Sequence, residues 1–147
     1  MRAMLATAWE RSMMRTMLHM PKPWVPWLAV LILVNLVGGL YHLGSLEGIL
    51  VVAAFLGAVI VMEAIFKAKG FVRLLGLGHI FWVPLVPWLA LRLDWGRLDS
   101  AFALWVAAVV VLNTLSLIID AIDVVRYARG ERAPTKPAEH RLGASAA

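Results

Sequence analysis

Residues 48–66 read GILVVAAFLGAVIVMEAIF, a stretch whose single ionisable side chain is Glu63. A helix of that length is about 28 Å long at 1.5 Å per residue, close to the roughly 30 Å hydrocarbon core of a bilayer. No water reaches a backbone in that medium, so each N–H and C=O must bond within the segment, which makes it helical. The stretch also lacks the period-2 alternation of a membrane barrel strand. Three more blocks share its character, at about 24–42, 74–91 and 101–122. The expected fold is therefore all-α: a four-helix transmembrane bundle, mostly up-and-down because the connections are short.

Composition agrees. The 147-residue chain is 62% hydrophobic, against about 45–50% for a soluble domain, and the excess sits in the four blocks. The absence of cysteine excludes disulfides, thiolate metal sites, iron–sulfur clusters and a cysteine nucleophile. The formal net charge is +5. Its basic residues flank apolar blocks instead of forming a stripe on a polar domain. That pattern points to a lipid bilayer as partner and not to nucleic acid.

The same residues set an expected direction. Arg2, Arg11, Arg15 and Lys22 precede the first block; Lys67, Lys69 and Arg73 join the second to the third; Arg126, Arg129, Arg132, Lys136 and Arg141 follow the fourth. Only Arg92 and Arg97 lie in the third loop, and none in the first. With both termini cytoplasmic, 12 basic residues face inward and two outward, the sense of the positive-inside rule. Trp24, Trp27 and Tyr127 then fall at the inner interface, and Tyr41, Trp88, Trp95 and Trp105 near the outer one, where amphipathic rings are favoured. Trp82 is near mid-membrane and is expected to pack on a neighbouring helix.

Residues 1–23 form an N-terminal segment in which 3–19 read as an amphipathic interfacial helix. Leu5, Trp9, Met13 and Met17 recur at i+4 beside a basic strip of Arg11, Arg15 and His19, and Pro21 and Pro23 end it. The alternative is a helix that docks on a partner. Residues 128–147 read as a cytoplasmic tail, disordered from about 130 because it holds almost no large apolar residue. No cleavable signal peptide and no lipidation motif are expected.

Ionisable groups inside spans are costly and default to a functional hypothesis. The candidate intramembrane cluster is Glu63, His79, Asn113, Asp120, Arg73 and Asn35. Asn113, Ser116 and Asp120 share one helix face. Each group also has a structural reading. Glu63 and Lys67 make an i,i+4 pair in the favourable order. Asp120 has Arg73 as a plausible partner. Asn35 and Asn113 suit interhelical hydrogen bonds worth about 0.6–2 kcal/mol each. His79 follows Gly76 and Gly78, which let a helix approach, and suits a bond to a neighbour's amide or carboxylate. Pro84 and Pro87 should kink the third span and free the carbonyls of Ile80 and Val83. The expected centre of any site is where that kink meets Glu63, Asn113 and Asp120.

Residues 36–40, 49–56, 83–91 and 101–112 leave the outer half almost bare of polar side chains. A pore or carrier needs polar groups along its whole path. His42 and His79 differ too much in depth to share a haem. Glu63, His79 and Asp120 could form a one-His, two-carboxylate metal site, but no short ligand motif supports it. There is no Gly-rich phosphate loop, G-x-S-x-G or H-E-x-x-H. We assign no catalytic residue, cofactor or metal from the sequence.

The stretches GFVRLLGLGHIFWVP at 70–84 and DAIDVVRY at 120–127 resemble segments of small bacterial four-helix inner-membrane proteins without assigned activity. The resemblance covers spans two to four and implies an inner-membrane location. It carries over no functional residue. The leading expectation is a non-catalytic accessory or assembly subunit of a larger membrane complex, or a small homo-oligomer. The alternatives are proton or small-cation transport through Glu63, His79 and Asp120, and an enzyme acting on lipid at the cytoplasmic face with His79 and Asp120 as base and orienter.

Overall fold

A computed structural model describes residues 23–69 and 73–132; the interfacial helix at 3–19 and the tail beyond Arg132 lie outside them. The described chain is all-helical. Its four long helices are each long and apolar enough to cross a membrane: α1 (Trp24–Tyr41), α2 (Leu46–Lys69), α3 (Arg73–Arg92) and α4 (Ala101–Ala128). Each packs on its sequence neighbours, and α4 returns to α1. The helices outlast their apolar cores, so α4 continues past Ile122 to Ala128. We call the end carrying Trp24, Lys69, Arg73 and Ala128 the terminal end, and the other the hairpin end.

At the hairpin end α1 and α2 are joined by a tight turn. Ser45 Oγ donates to the His42 carbonyl at 2.7 Å and accepts from the Gly48 N–H at 3.0 Å. Gly48 packs on the His42 backbone, so a side chain there would meet the His42 carbonyl oxygen. The α3–α4 loop is held by Arg92, which bonds Glu47 at 2.9 Å and lies 4.7 Å over the Trp88 ring. Ser100 then caps α4 by accepting from the Ala103 N–H at 3.1 Å, satisfying one of the free donors of a helix start.

The core is built from Val51 and Ala54 of α2, Trp82, Leu85, Val86 and Leu89 of α3, and Val106, Val109 and Val110 of α4. Trp82 is buried among them, as expected. Lipid is as apolar as these side chains, so their cohesion comes from close packing and not from escape from water.

Two helices depart from α geometry. In α1, Leu33–Val37 form a widened π turn. Bonding from i to i+5 leaves a carbonyl without its usual partner, and the Trp105 indole N–H donates to Val34 O at 3.0 Å. Gly38 makes room for that ring, since a Cβ there would overlap the indole. Trp105 is thus half-buried between helices, stacked on His42 at 4.5 Å between centroids, and is more than an interfacial belt residue.

In α3, Arg73–Phe81 form a 3₁₀ helix and Trp82–Arg92 an α-helix. This changes the expectation for the prolines. The conversion at Phe81 puts Pro84 in the first turn of the α part, where helix N–H groups lack an α partner anyway. Pro87 alone stands inside the helix. An α-helix running through residue 80 would drive the Pro84 ring into the Ile80 carbonyl; the tighter winding avoids this.

A 3₁₀ helix repeats every three residues, so its side chains stand in three rows. Leu75, Gly78 and Phe81 face α2: Leu75 packs with Met62, Ile65 and Phe66, Gly78 lies against Met62, and Phe81 covers Gly57. Leu74, Leu77 and Ile80 form the outward row, with Leu77 and Ile80 exposed. Arg73, Gly76 and His79 form the third row, which faces α4.

Candidate functional site

The row facing α4 meets that helix's polar face. His79 Nδ1 is 2.6 Å from Asp120 Oδ2, and Ser116 Oγ donates to the same oxygen at 3.4 Å. Gly76 packs directly on Asp120, where a Cβ would come 3.0 Å from the Asp120 Cβ. The absent side chain is what lets α3 and α4 approach closely enough for His79 to reach. With its proton on Nδ1 the ring donates to the carboxylate and is held in place, and among the described residues Nε2 has no hydrogen-bond partner. The two side chains are 23% and 18% exposed, so the pair is not sealed in the core.

One turn closer to the terminal end, Arg73 donates to Asp123 Oδ1 at 2.6 Å and lies 3.5 Å from Glu131. This corrects the expected Arg73–Asp120 partnership: Arg73 takes Asp123, and Asp120 takes His79. Glu131 is also bound by Arg126, at 2.8–3.1 Å. The hydrogen bonding from Arg126 holds the Glu131 carboxyl below the usual carboxylate range.

A second polar pair sits deeper. Asn35, in the π turn of α1, and Asn113 of α4 exchange hydrogen bonds at 3.2 and 2.7 Å, and Asn113 also donates to Val109 O at 2.8 Å. Both are buried. Amide pairs of this kind are the interhelical polar links expected in a bilayer.

Glu63 stands apart from both. Its carboxylate is 3.5 Å from Lys67, one turn on along α2, and it does not join His79 and Asp120. The expected convergence of Glu63, Asn113, Asp120 and the α3 bend is therefore split into three places. Among the described residues no three His, Asp or Glu side chains are grouped to hold a metal ion. The aromatic layer at His42 and the π turn were both missed in the sequence. The Gly38–Gly39 pair before a half-turn of aromatics was the available signal for close packing there.

Among the described residues the arrangement offers one His–carboxylate pair whose second ring nitrogen has no partner, flanked by an Arg–Asp pair and separated from an amide pair. No protein family, no curated protein and no solved structure matches the chain.

Proposed function

We propose that this chain is a non-catalytic, multi-pass protein of a bacterial inner membrane that acts through contacts made inside the bilayer. It serves as an accessory or assembly subunit of a larger membrane complex, or as a small homo-oligomer. The observation that carries this reading is where the polar groups go. Among the described residues the polar groups inside the spans bond one another or a backbone carbonyl, and no buried side-chain N or O atom lacks a partner. The helix faces that remain are long and apolar. The cytoplasmic placement of both termini rests on the asymmetry of Lys and Arg between the two ends. The inner-membrane location rests on that and on the resemblance of residues 70–84 and 120–127 to small four-helix inner-membrane proteins.

The test is extraction from native membranes in mild detergent after brief cross-linking. The expected species is a multiple of the 16.2 kDa chain or a heteromeric complex. A clean monomer with nothing attached overturns the proposal.

A second reading is proton handling, favoured by the His79–Asp120 contact. Proton transfer needs donor and acceptor within hydrogen-bond reach, which 2.6 Å provides. The same geometry would serve a general base and its orienting carboxylate acting on lipid. Proton flux into liposomes that is unchanged by His79→Ala and Asp120→Asn removes the transport reading.

A further inference from the structure

Pro84 accounts for the tight winding of α3 only near the carbonyl it would strike, that of Ile80. The 3₁₀ form nevertheless runs back to Arg73. Such helices seldom exceed three or four residues, because their hydrogen bonds are poorer than those of an α-helix. Leu74, Leu75 and Leu77 are moreover good α formers. Contacts made with other helices must therefore hold residues 73–79 in this form.

Contacts with α2 do not choose between the two windings. Leu75 and Gly78 are three residues apart, so they coincide at three residues per turn and lie about 60° apart at 3.6. Either winding keeps both on the side of Met62 and its neighbours on α2. Contacts with α4 do choose. Arg73 and His79 are six residues apart, so they share a row in a 3₁₀ helix and diverge by about 120° in an α-helix. Both are bonded to α4 at 2.6 Å, Arg73 to Asp123 and His79 to Asp120. Only the tight winding lets the two bonds exist together.

We propose that residues 73–79 are a winding switch: the two bonds to α4 hold the 3₁₀ form, and loss of the His79–Asp120 bond lets the segment take α winding and turns Arg73 off Asp123. Bonds made in one conformation and not in the other shift the equilibrium toward the first. Conversion shortens the seven residues by about 3.5 Å, from roughly 2.0 to 1.5 Å per residue. Pro84 keeps Ile80 tight in both states, and Trp82 is locked in the core at 2% exposed. The movement therefore emerges at the Arg73 end. A change at a His–carboxylate pair within the span is read at the terminal end, where Asp123 gives up its guanidinium while Glu131 keeps Arg126.

The test is oriented-sample ¹⁵N NMR of residues 73–79 in lipid bilayers, where three and 3.6 residues per turn give different periodicities. The Asp123 carboxyl-carbon shift reports on Arg73. The unsubstituted chain should show the three-residue period. His79→Ala should show the 3.6-residue period and move the Asp123 shift to its value in Arg73→Gln. His79→Asn, whose amide nitrogen stands where Nδ1 stood, should restore both the tight winding and the Asp123 shift. Pro84→Ala should leave residues 73–79 at three per turn, because both bonds remain. The Asn35 and Asn113 side-chain resonances should stay in place throughout, marking the change as local. Tight winding that survives His79→Ala, an Asp123 shift indifferent to it, or conversion by Pro84→Ala alone overturns the switch. A 3.6-residue period in the unsubstituted chain overturns it as well. So does a His79→Ala conversion that moves the Asn35 and Asn113 resonances, since the bundle as a whole has then loosened.

Discussion

The Asn35–Asn113 pair and the His79–Asp120 pair both join α4 to another helix through one polar contact, yet they end in different states. The two amides are 2% and 4% exposed, bond each other reciprocally, and engage a further carbonyl. Each can be both donor and acceptor, so the pair closes on itself. His79 and Asp120 are complementary in one direction only. Their single short bond leaves one imidazole nitrogen without a partner among the described residues, and the pair is about a fifth exposed. A closed amide pair fixes helix register; an open His–carboxylate pair keeps one ring nitrogen available to a further partner. Similar polarity in neighbouring layers thus supports different work.

Breaking the closed pair should have the largest effect. Asn113→Leu leaves the Asn35 amide buried without its partner, and the expected loss is about 2–3 kcal/mol, read from reversible SDS unfolding in mixed micelles. Asn35→Leu together with Asn113→Leu should recover most of that loss. If the double variant is no better than the single, the amides are not the closed unit described.

A smaller effect is expected where the 3₁₀ row meets α4. Gly76→Leu drives a side chain into Asp120 and should cost about 1–3 kcal/mol by overpacking. It should also separate His79 from Asp120, seen as a change in the His79 imidazole nitrogen shifts by NMR. Unchanged shifts would mean that the glycine is not what brings the two together.

His79→Ala removes the open pair without filling the site. The expected cost is about 1 kcal/mol, typical of interhelical hydrogen bonds, and therefore less than for Asn113→Leu. An equal or larger cost would place both pairs in the same structural role and sink the contrast.

The smallest effect lies outside the spans, at the exposed Arg126–Glu131 contact. The Glu131 carboxyl is held below its ordinary range, so the contact is complete at neutral pH and is lost as pH falls through that lowered value. A carboxyl-carbon NMR titration should show a depressed midpoint for Glu131, and Arg126→Gln should raise it. Overall stability should barely move, because the contact is fully solvated.

The parts of this molecule legible in the sequence are those set by nearest neighbours along a helix. Glu63 and Lys67 are one α turn apart, so their pairing follows from spacing alone. Asn113, Ser116 and Asp120 share a face for the same reason. The Arg73 partnership failed because it depends on winding. In an α-helix, Arg73 and His79 would point about 120° apart, whereas three residues per turn bring both onto the row facing α4. The first then takes Asp123 and the second Asp120. A span that is α throughout makes Pro84 a mid-span kink; the 3₁₀ start at Arg73–Phe81 places it in a first turn instead.

Sequence by itself determined the four apolar helices, since a backbone in hydrocarbon has no partners beyond its own segment and chain length must match bilayer thickness. Only the tertiary structure decided where α1 widens, where α3 tightens and which polar side chains meet. Those choices turn on fractions of a turn, and at that scale the shape of a neighbouring glycine or proline outweighs the local preference of the residues themselves.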